Sequence, residues 1–414
     1  MSEPSSVDAP SIPGFPPGVD PESYRREEVQ RLLEQAAYLS IFSVPDASSP
    51  NVPVRLLPGL DITTIAVRVH ETLHRFSIDV ESAGAGLTAR NRIGEPMASV
   101  EIRWTPMPDD FEAAPGRVPP PTLLNPFRSQ RFCMLDGHLQ FADAAASSLT
   151  AFGTGRTFPA ESGGRPRLDI GAVIDVLSGQ GKLAGLCGTI CVNGTIEPPD
   201  GLALNLMLRF IDPRGVLAAP AAPVGGPPAT AAAESVFLAF LGEVDPRQPV
   251  VLRRAPDGSV LGSQVHELLR RVSLDSSLDA ATGLCGSLVP GPVVGRVDAT
   301  LHFDPLTALE VSPIRTTDGV FTFFDEGGAE LGSLRSDMVE GRAFKTPLAG
   351  APAPIFRFGG FGPILGGCGL FAGASGMMSM NSAVSVFPRT LSNLYVLRLA
   401  DPEGRLRDAS AGGA

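Results

Sequence analysis

The sequence predicts an all-β protein built from two similar halves, and three observations carry that prediction. Most of the 414 residues fall in short, alternating, β-branched segments punctuated by 46 glycines and 40 prolines, the texture of a β-sandwich or barrel. Motifs also recur in one order at nearly constant separation. Val69-His70-Glu71-Thr72-Leu73-His74-Arg75 returns as Val265-His266-Glu267-Leu268-Leu269-Arg270-Arg271. Gly179-x-Gly181-x-Leu183-Ala184-Gly185-x-x-Gly188 returns as Gly367-x-Gly369-x-Phe371-Ala372-Gly373-x-x-Gly376, and Leu208-Arg209-Phe210-Ile211-Asp212-Pro213-x-Gly215 as Leu397-Arg398-Leu399-Ala400-Asp401-Pro402-x-Gly404. Such self-similarity reads as a tandem repeat. Thirdly, helical periodicity is confined to one stretch, Asp20 to Ser40, where Val29, Leu32, Leu33 and Ala36 recur at helical spacing behind a cap at Asp20 or Ser23.

Taken in order, residues 1–19 read as a disordered, Pro-rich leader and residues 20–217 as the helix plus the first β-unit. Tyr38 to Val44 is extended, with a counterpart at Val236 to Leu241. Ile65 to Val80 is assigned to a strand on its Val, Ile, Phe and Thr content. Further strands are expected at Ser99 to Trp104, Phe132 to Phe141, Ile170 to Leu177, Gly188 to Ile196 and Leu202 to Ile211. Residues 106–128 form a Pro-rich insertion confined to the first half, a surface excursion or candidate lid. Residues 218–233 are an Ala/Pro/Gly linker, semi-rigid by composition. The second unit covers 234–407, and 408–414 is a tail. Asp136-Gly137-x-x-x-Phe141-x-Asp143 matches Asp318-Gly319-x-x-x-Phe323-x-Asp325, Gly155-Arg156 matches Gly341-Arg342, and Asn193 matches Asn381.

Composition narrows the function. A net charge of −11 argues against nucleic acid, whose phosphates must be neutralised by Lys and Arg. No long apolar run escapes Gly and Pro breaks, so no membrane span is expected. The N-terminus lacks an apolar signal-peptide core, which points to the cytoplasm. Five scattered cysteines read as free thiols of a reducing compartment.

The glycine-rich segment invites a dinucleotide reading, but that needs a helix after it. Gly188 to Asn193 is strand-like instead, so a tight hairpin is the better account. Here a resemblance enters. Pro363-Ile364-Leu365-Gly366-Gly367-Cys368-Gly369-Leu370-Phe371-Ala372-Gly373-Ala374-Ser375-Gly376 resembles the signature hairpin of the allene oxide cyclase and dirigent barrels, and Val176 to Gly188 resembles it more loosely. The match covers only the hairpin in each half and brings no catalytic residues with it. The resemblance implies two tandem antiparallel eight-stranded β-barrels with apolar cavities. It also implies a cofactor-independent isomerase or cyclase acting on a small lipophilic intermediate. The competing reading is a non-catalytic binding or structural protein, since eight-stranded barrels can hold one small ligand or be filled by side chains. No cofactor is expected. The fused pair could mimic a dimer, and association with further copies is compatible with the sequence.

Candidate site residues come from polar positions that differ between the halves, joined by the repeated arginines Arg156 and Arg342. Asp175, inside the apolar Ala172-Val173-Ile174-Asp175-Val176-Leu177, faces Pro363 in the other half, and burial would raise its pKa and suit it to acid–base work. Glu340 is assigned to a loop of the second half and is the second catalytic candidate. His138 matches Val320 and is taken, with Arg156 and Arg342, as substrate-binding; for the two arginines, structural pairing with Asp143 and Asp325 is the favoured alternative. Along a strand His70 and His74 share one face, while Val69, Glu71, Leu73 and Arg75 share the other, so His70 and Glu71 cannot cooperate. Arg270 replaces His74 in the second copy, and no metal site is expected.

Overall fold

The structure, a computed structural model, describes residues 36–406 apart from 46–51, 56–64, 84–85, 121, 123–126, 163–164, 198–200, 213, 218–234, 249–250, 257–259, 280–281, 304–310, 347–354, 386–389 and 402–403. The described residues are all-β and join into one closed antiparallel sheet. The first half supplies β1 (Ala36–Pro45), β2 (Val52–Arg55), β3 (Ile65–Ala83), β4 (Gly86–Pro106), β5 (Gln130–Phe141), β6 (Ser148–Ser162), β7 (Arg165–Gln180), β8 (Cys187–Glu197) and β9 (Gly201–Ile211). Pairing runs from β1 to β3, then strand by strand to β9, which pairs back with β1; β2 lies beside β3 where β1 ends.

The second half supplies β10 (Ser235–Val244), β11 (Val251–Arg254), β12 (Val260–Asp279), β13 (Gly283–Phe303), β14 (Val311–Phe324), β15 (Glu330–Ser336), β16 (Glu340–Thr346), β17 (Ile355–Gly369), β18 (Gly376–Ser385) and β19 (Thr390–Ala400). Its ladder follows the same order, with β15 and β16 both bridging β14 to β17, and returns from β19 to β10. The two ladders meet where Ile78 of β3 pairs with Leu274 of β12.

The joint is built by exchange. The hairpins β3–β4 and β12–β13 each outrun their own half. The register shifts around Leu73 to Phe76 and Leu269 to Val272, and such bulges reverse which side chains point inward. Beyond the bulges, Ile78, Val80 and Leu87 pack into the core of the second half, while Leu278 and Leu284 pack into that of the first. Phe42, Phe76 and Phe237 close this seam with ring centroids 5.0–6.1 Å apart.

Each Asp-Pro-x-Gly turn does more than end a strand. The Asp212 carboxylate accepts the N–H groups of Val216 and Leu217 at 3.0 and 2.7 Å, and Asp401 those of Arg405 and Leu406 at 2.9 and 3.0 Å. The short tails so formed cross over: Leu217 O accepts Gly286 N–H, and Leu406 O accepts Ala89 N–H. Deeper in the seam, Asn193 donates to the carbonyls of Met377 and Val396 at 3.0 and 3.3 Å. Asn381 donates to those of Thr189 and Met207 at 2.8 and 3.1 Å.

The glycine-rich segments are the turns joining β7 to β8 and β17 to β18. Gly181 and Gly185 adopt φ of 61° and 75°, and Gly369 and Gly373 of 60° and 77°, left-handed values that exclude most side chains at little cost only for glycine. The expected N-terminal helix is not seen. Residues 20–35 lie outside the described residues, and 36–40, assigned to its last turn, belong to β1. There Leu39 and Ile41 face one core and Tyr38 and Phe42 the other, so a strand buried on both faces mimics the dense apolar pattern of a helix. The leader, linker and tail also fall outside the described residues. Among the described residues no helix is long and apolar enough to cross a membrane.

Candidate functional site

The repeated Val-His-Glu segment lies in mid-strand, and alternation splits its polar pair. His70 turns outward toward Glu101, 3.8 Å away, and His266 toward Asp298, 2.6 Å away. The glutamates point the other way, into the two cores.

Glu71 shares its face with the fully buried Val69 and Leu73 and stands in register between Pro45 of β1 and Val100 of β4. Only 2% of the residue is exposed, and neither carboxyl oxygen has a hydrogen-bond partner. An ionised carboxylate there would lack both water and a counter-charge, so burial raises the pKa to about 8. Glu71 is therefore a neutral acid at pH 7, with both oxygens unclaimed in an aliphatic enclosure.

Glu267 occupies the matching place between Val244 and Val297 but has company. Asn393 Nδ2 donates to Oε1 at 2.5 Å and Tyr395 OH donates to Oε2 at 3.0 Å; Ser382 Oγ donates to Asn393 Oδ1. Gly242 leaves room for the carboxyl, because a Cβ there would collide with Oε2. Burial raises Glu267 to about 7 against the lowering effect of the Asn393 and Tyr395 hydrogen bonds, and burial beside Glu267 pushes the Tyr395 phenol well above its usual range. Aromatic rings pack densely around it: Phe321 against Tyr395, Phe240 and Phe371 against Phe323. In the first half β1 and β9 pair Ser43 with Leu204 and Ile41 with Leu206 where β10 and β19 pair Gly242 with Asn393 and Phe240 with Tyr395. Leu204 and Leu206 thus hold the register positions in the first half that Asn393 and Tyr395 hold in the second.

Of the candidates named from the sequence, Glu340, Arg156 and Arg342 gather elsewhere, while Asp175 and His138 do not join them. Glu340 opens β16 rather than lying in a loop. It bridges Arg131 Nε at 3.2 Å and Arg156 Nε at 3.4 Å across the seam. Arg156 also holds Asp109 of the Pro-rich insertion at 2.7 Å, and Arg131 Nη1 donates to the carbonyls of Asp109 and Phe111. Arg342 donates to Thr154 Oγ1 at 2.9 Å, and burial lowers its pKa. The two arginines do not pair with the repeated aspartates: Asp143 accepts from Ser147, and Asp325 from the Ala329 N–H, each closing a hairpin turn. Asp175 lies on the outer face of β7 with 23% side-chain exposure and pairs with Arg357 at 2.8 Å. Burial raises its pKa and Arg357 opposes the rise. His138 stands apart, exposed on β5 opposite Glu101 and Thr150.

The structure thus brings Glu340, Arg156 and Arg342, named separately from the sequence, to one place, and the sequence reading passes over Glu71 and Glu267 as candidates. The signal was present: Glu71 was assigned to the face of Val69 and Leu73. What alternation cannot tell is which face looks inward. Among the described residues no group of three His, Cys, Asp or Glu side chains is arranged to hold a metal ion. No protein-family model matches the chain, and no curated protein matches it in sequence.

Proposed function

We propose that this chain is a tandem pair of eight-stranded barrels in which the first accepts a small, neutral, lipophilic molecule and exchanges a proton with it through Glu71, without a cofactor. The reading is that of an isomerase or cyclase, in keeping with the resemblance of the glycine-rich hairpins to the allene oxide cyclase and dirigent barrels. One observation carries it: a carboxyl group with two buried, unpartnered oxygens in an aliphatic interior. Such a group is costly to fold around, and an acceptor oxygen on a bound molecule would satisfy it. A pKa of about 8 places the group near the optimum for general acid catalysis at neutral pH. It would donate its proton to a carbonyl or epoxide oxygen and recover it at the end of the cycle.

The second half then serves as scaffold. Glu267 is satisfied by its own neighbours and enclosed by phenylalanines, which favours a side-chain-filled interior there. The matching motifs, the parallel ladder orders and the reciprocal Asn193 and Asn381 bonds support a duplication packed like an isologous dimer.

Native mass spectrometry of the purified chain, compared with its denatured mass, tests the proposal. A neutral organic species retained by the wild type and by Glu267→Gln, but lost from Glu71→Leu, is the expected result. Equal retention in Glu71→Leu, or a bare mass for every form after incubation with lipid extract, would overturn it.

A further inference from the structure

Between the halves, two arginines occupy matching places in the Leu-Arg motif of the last strand, and their surroundings differ. Arg398 is fully buried, and its Nε–Nη2 edge is engaged: Nε donates to Asn193 Oδ1 at 3.1 Å and Nη2 meets Asp169 at 2.8 Å. That edge carries two nearly parallel N–H bonds and is the fork by which a guanidinium grips an anion. Arg209, 3% exposed, is as deeply placed. Its Nη1 donates to the Ser392 carbonyl at 2.6 Å, and its guanidinium carbon lies 5.3 Å from the centre of the Tyr38 ring. Its Nε and Nη2 are buried and have no partner, and neither has Asn381 Oδ1, the atom matching the one that receives Arg398.

The cause is visible in the register. Asp169 stands two residues before Gly171, the strand partner of Asn193; two residues before Gly359, the partner of Asn381, stands Arg357. The carboxylate that would have answered Arg209 is replaced by a second guanidinium. Arg357 is itself fully occupied by Asp175, Thr346, Thr189 and the Gly188 carbonyl. A buried guanidinium whose Nε–Nη2 edge has no partner bears the desolvation cost of a charge without the attraction that offsets it. Burial accordingly lowers the Arg209 pKa, yet arginine does not lose its proton in proteins.

We propose that the Nε–Nη2 edge of Arg209 binds a small monovalent anion of halide size in the buried seam between the halves. The ligand replaces the carboxylate that Asp169 supplies to Arg398, and it is taken up as the halves close during folding. A single-atom anion suits the site, because both donor atoms are cut off from solvent and are served by one acceptor in their common plane.

The test is thermal unfolding of the full chain at constant ionic strength as gluconate is exchanged for chloride, for wild type and Arg209→Met. A ligand that binds only the folded state raises its midpoint. The expected result is a rise of about 2–4 °C for wild type and none for Arg209→Met, which should also be the more stable form in gluconate. Equal chloride responses in the two proteins, or none in wild type, would overturn the proposal. Should Arg209→Met fail to fold, anomalous diffraction from wild-type crystals grown in bromide decides the question. A peak against Arg209 Nε and Nη2 supports the site; water or empty density there refutes it.

Discussion

Replacing Glu71 with Gln should remove about half of a pH dependence that buried acids impose on folding. The folded-state pKa of Glu71 is about 8, against an ordinary value of 4.5. Between those values the folded chain keeps a proton that the unfolded chain has released. Folding therefore takes up a proton, and stability falls as pH rises from about 4.5 toward 8; below that window the group has no effect, and above it the loss is complete. Inside the window one such group contributes a slope of about 1.4 kcal/mol per pH unit, and on the order of 3 kcal/mol is lost by pH 7. Glu267, raised to about 7, acts with the same sign over most of the same range. Together they predict a slope of ~2.5 kcal/mol per pH unit around pH 6. Urea unfolding at pH 5, 6 and 7 and fixed ionic strength measures it. The slope should halve in Glu71→Gln and largely vanish in Glu71→Gln/Glu267→Gln, while all other titrating groups cancel in the comparison. If the Glu71→Gln curve runs parallel to wild type, Glu71 ionises normally in the folded protein. The acid–base proposal then fails with it.

Two further expectations concern the seam. Asn193→Ala removes two hydrogen bonds to the opposite half and the acceptor of Arg398, a loss of about 2–3 kcal/mol; Asn381→Ala, whose oxygen serves no partner, should lose less, and chemical denaturation of the two variants gives the order. Leu217→Ala empties a fully buried site in the crossing tail and should cost about 2–5 kcal/mol. Hydrogen exchange should then show lost protection at Gly286, whose N–H that tail receives, and unchanged protection at Gly286 would contradict the docking role.

The sequence alone was enough to determine the all-β class and the positions of the glycine-rich turns, because these depend on near neighbours. Alternation places β3, β5, β7, β8 and β9 near their observed bounds but finds only Ser99 to Trp104 of β4 and none of β6, while the glycine pattern marks the two hairpin turns whose positive φ values need that residue. Repeated polar residues read as shared fold geometry, and Asn193 and Asn381 each donate across the seam while Asp212 and Asp401 each close a turn. Tertiary structure decided the rest. Leu39 and Phe42 belong to different cores, so β1 carries no simple periodicity and part of it was assigned to a helix. Glu71 and Glu267 sit in near-identical motifs, yet one carboxyl has no partner and the other has an amide and a phenol, contributed by a strand more than a hundred residues away in sequence. Glu340, a position that differs between the halves, and Arg156, one that recurs as Arg342, come together as a tie across the seam. Periodicity reports which side chains share a face; burial, partner and charge state depend on what the closed sheet brings against that face.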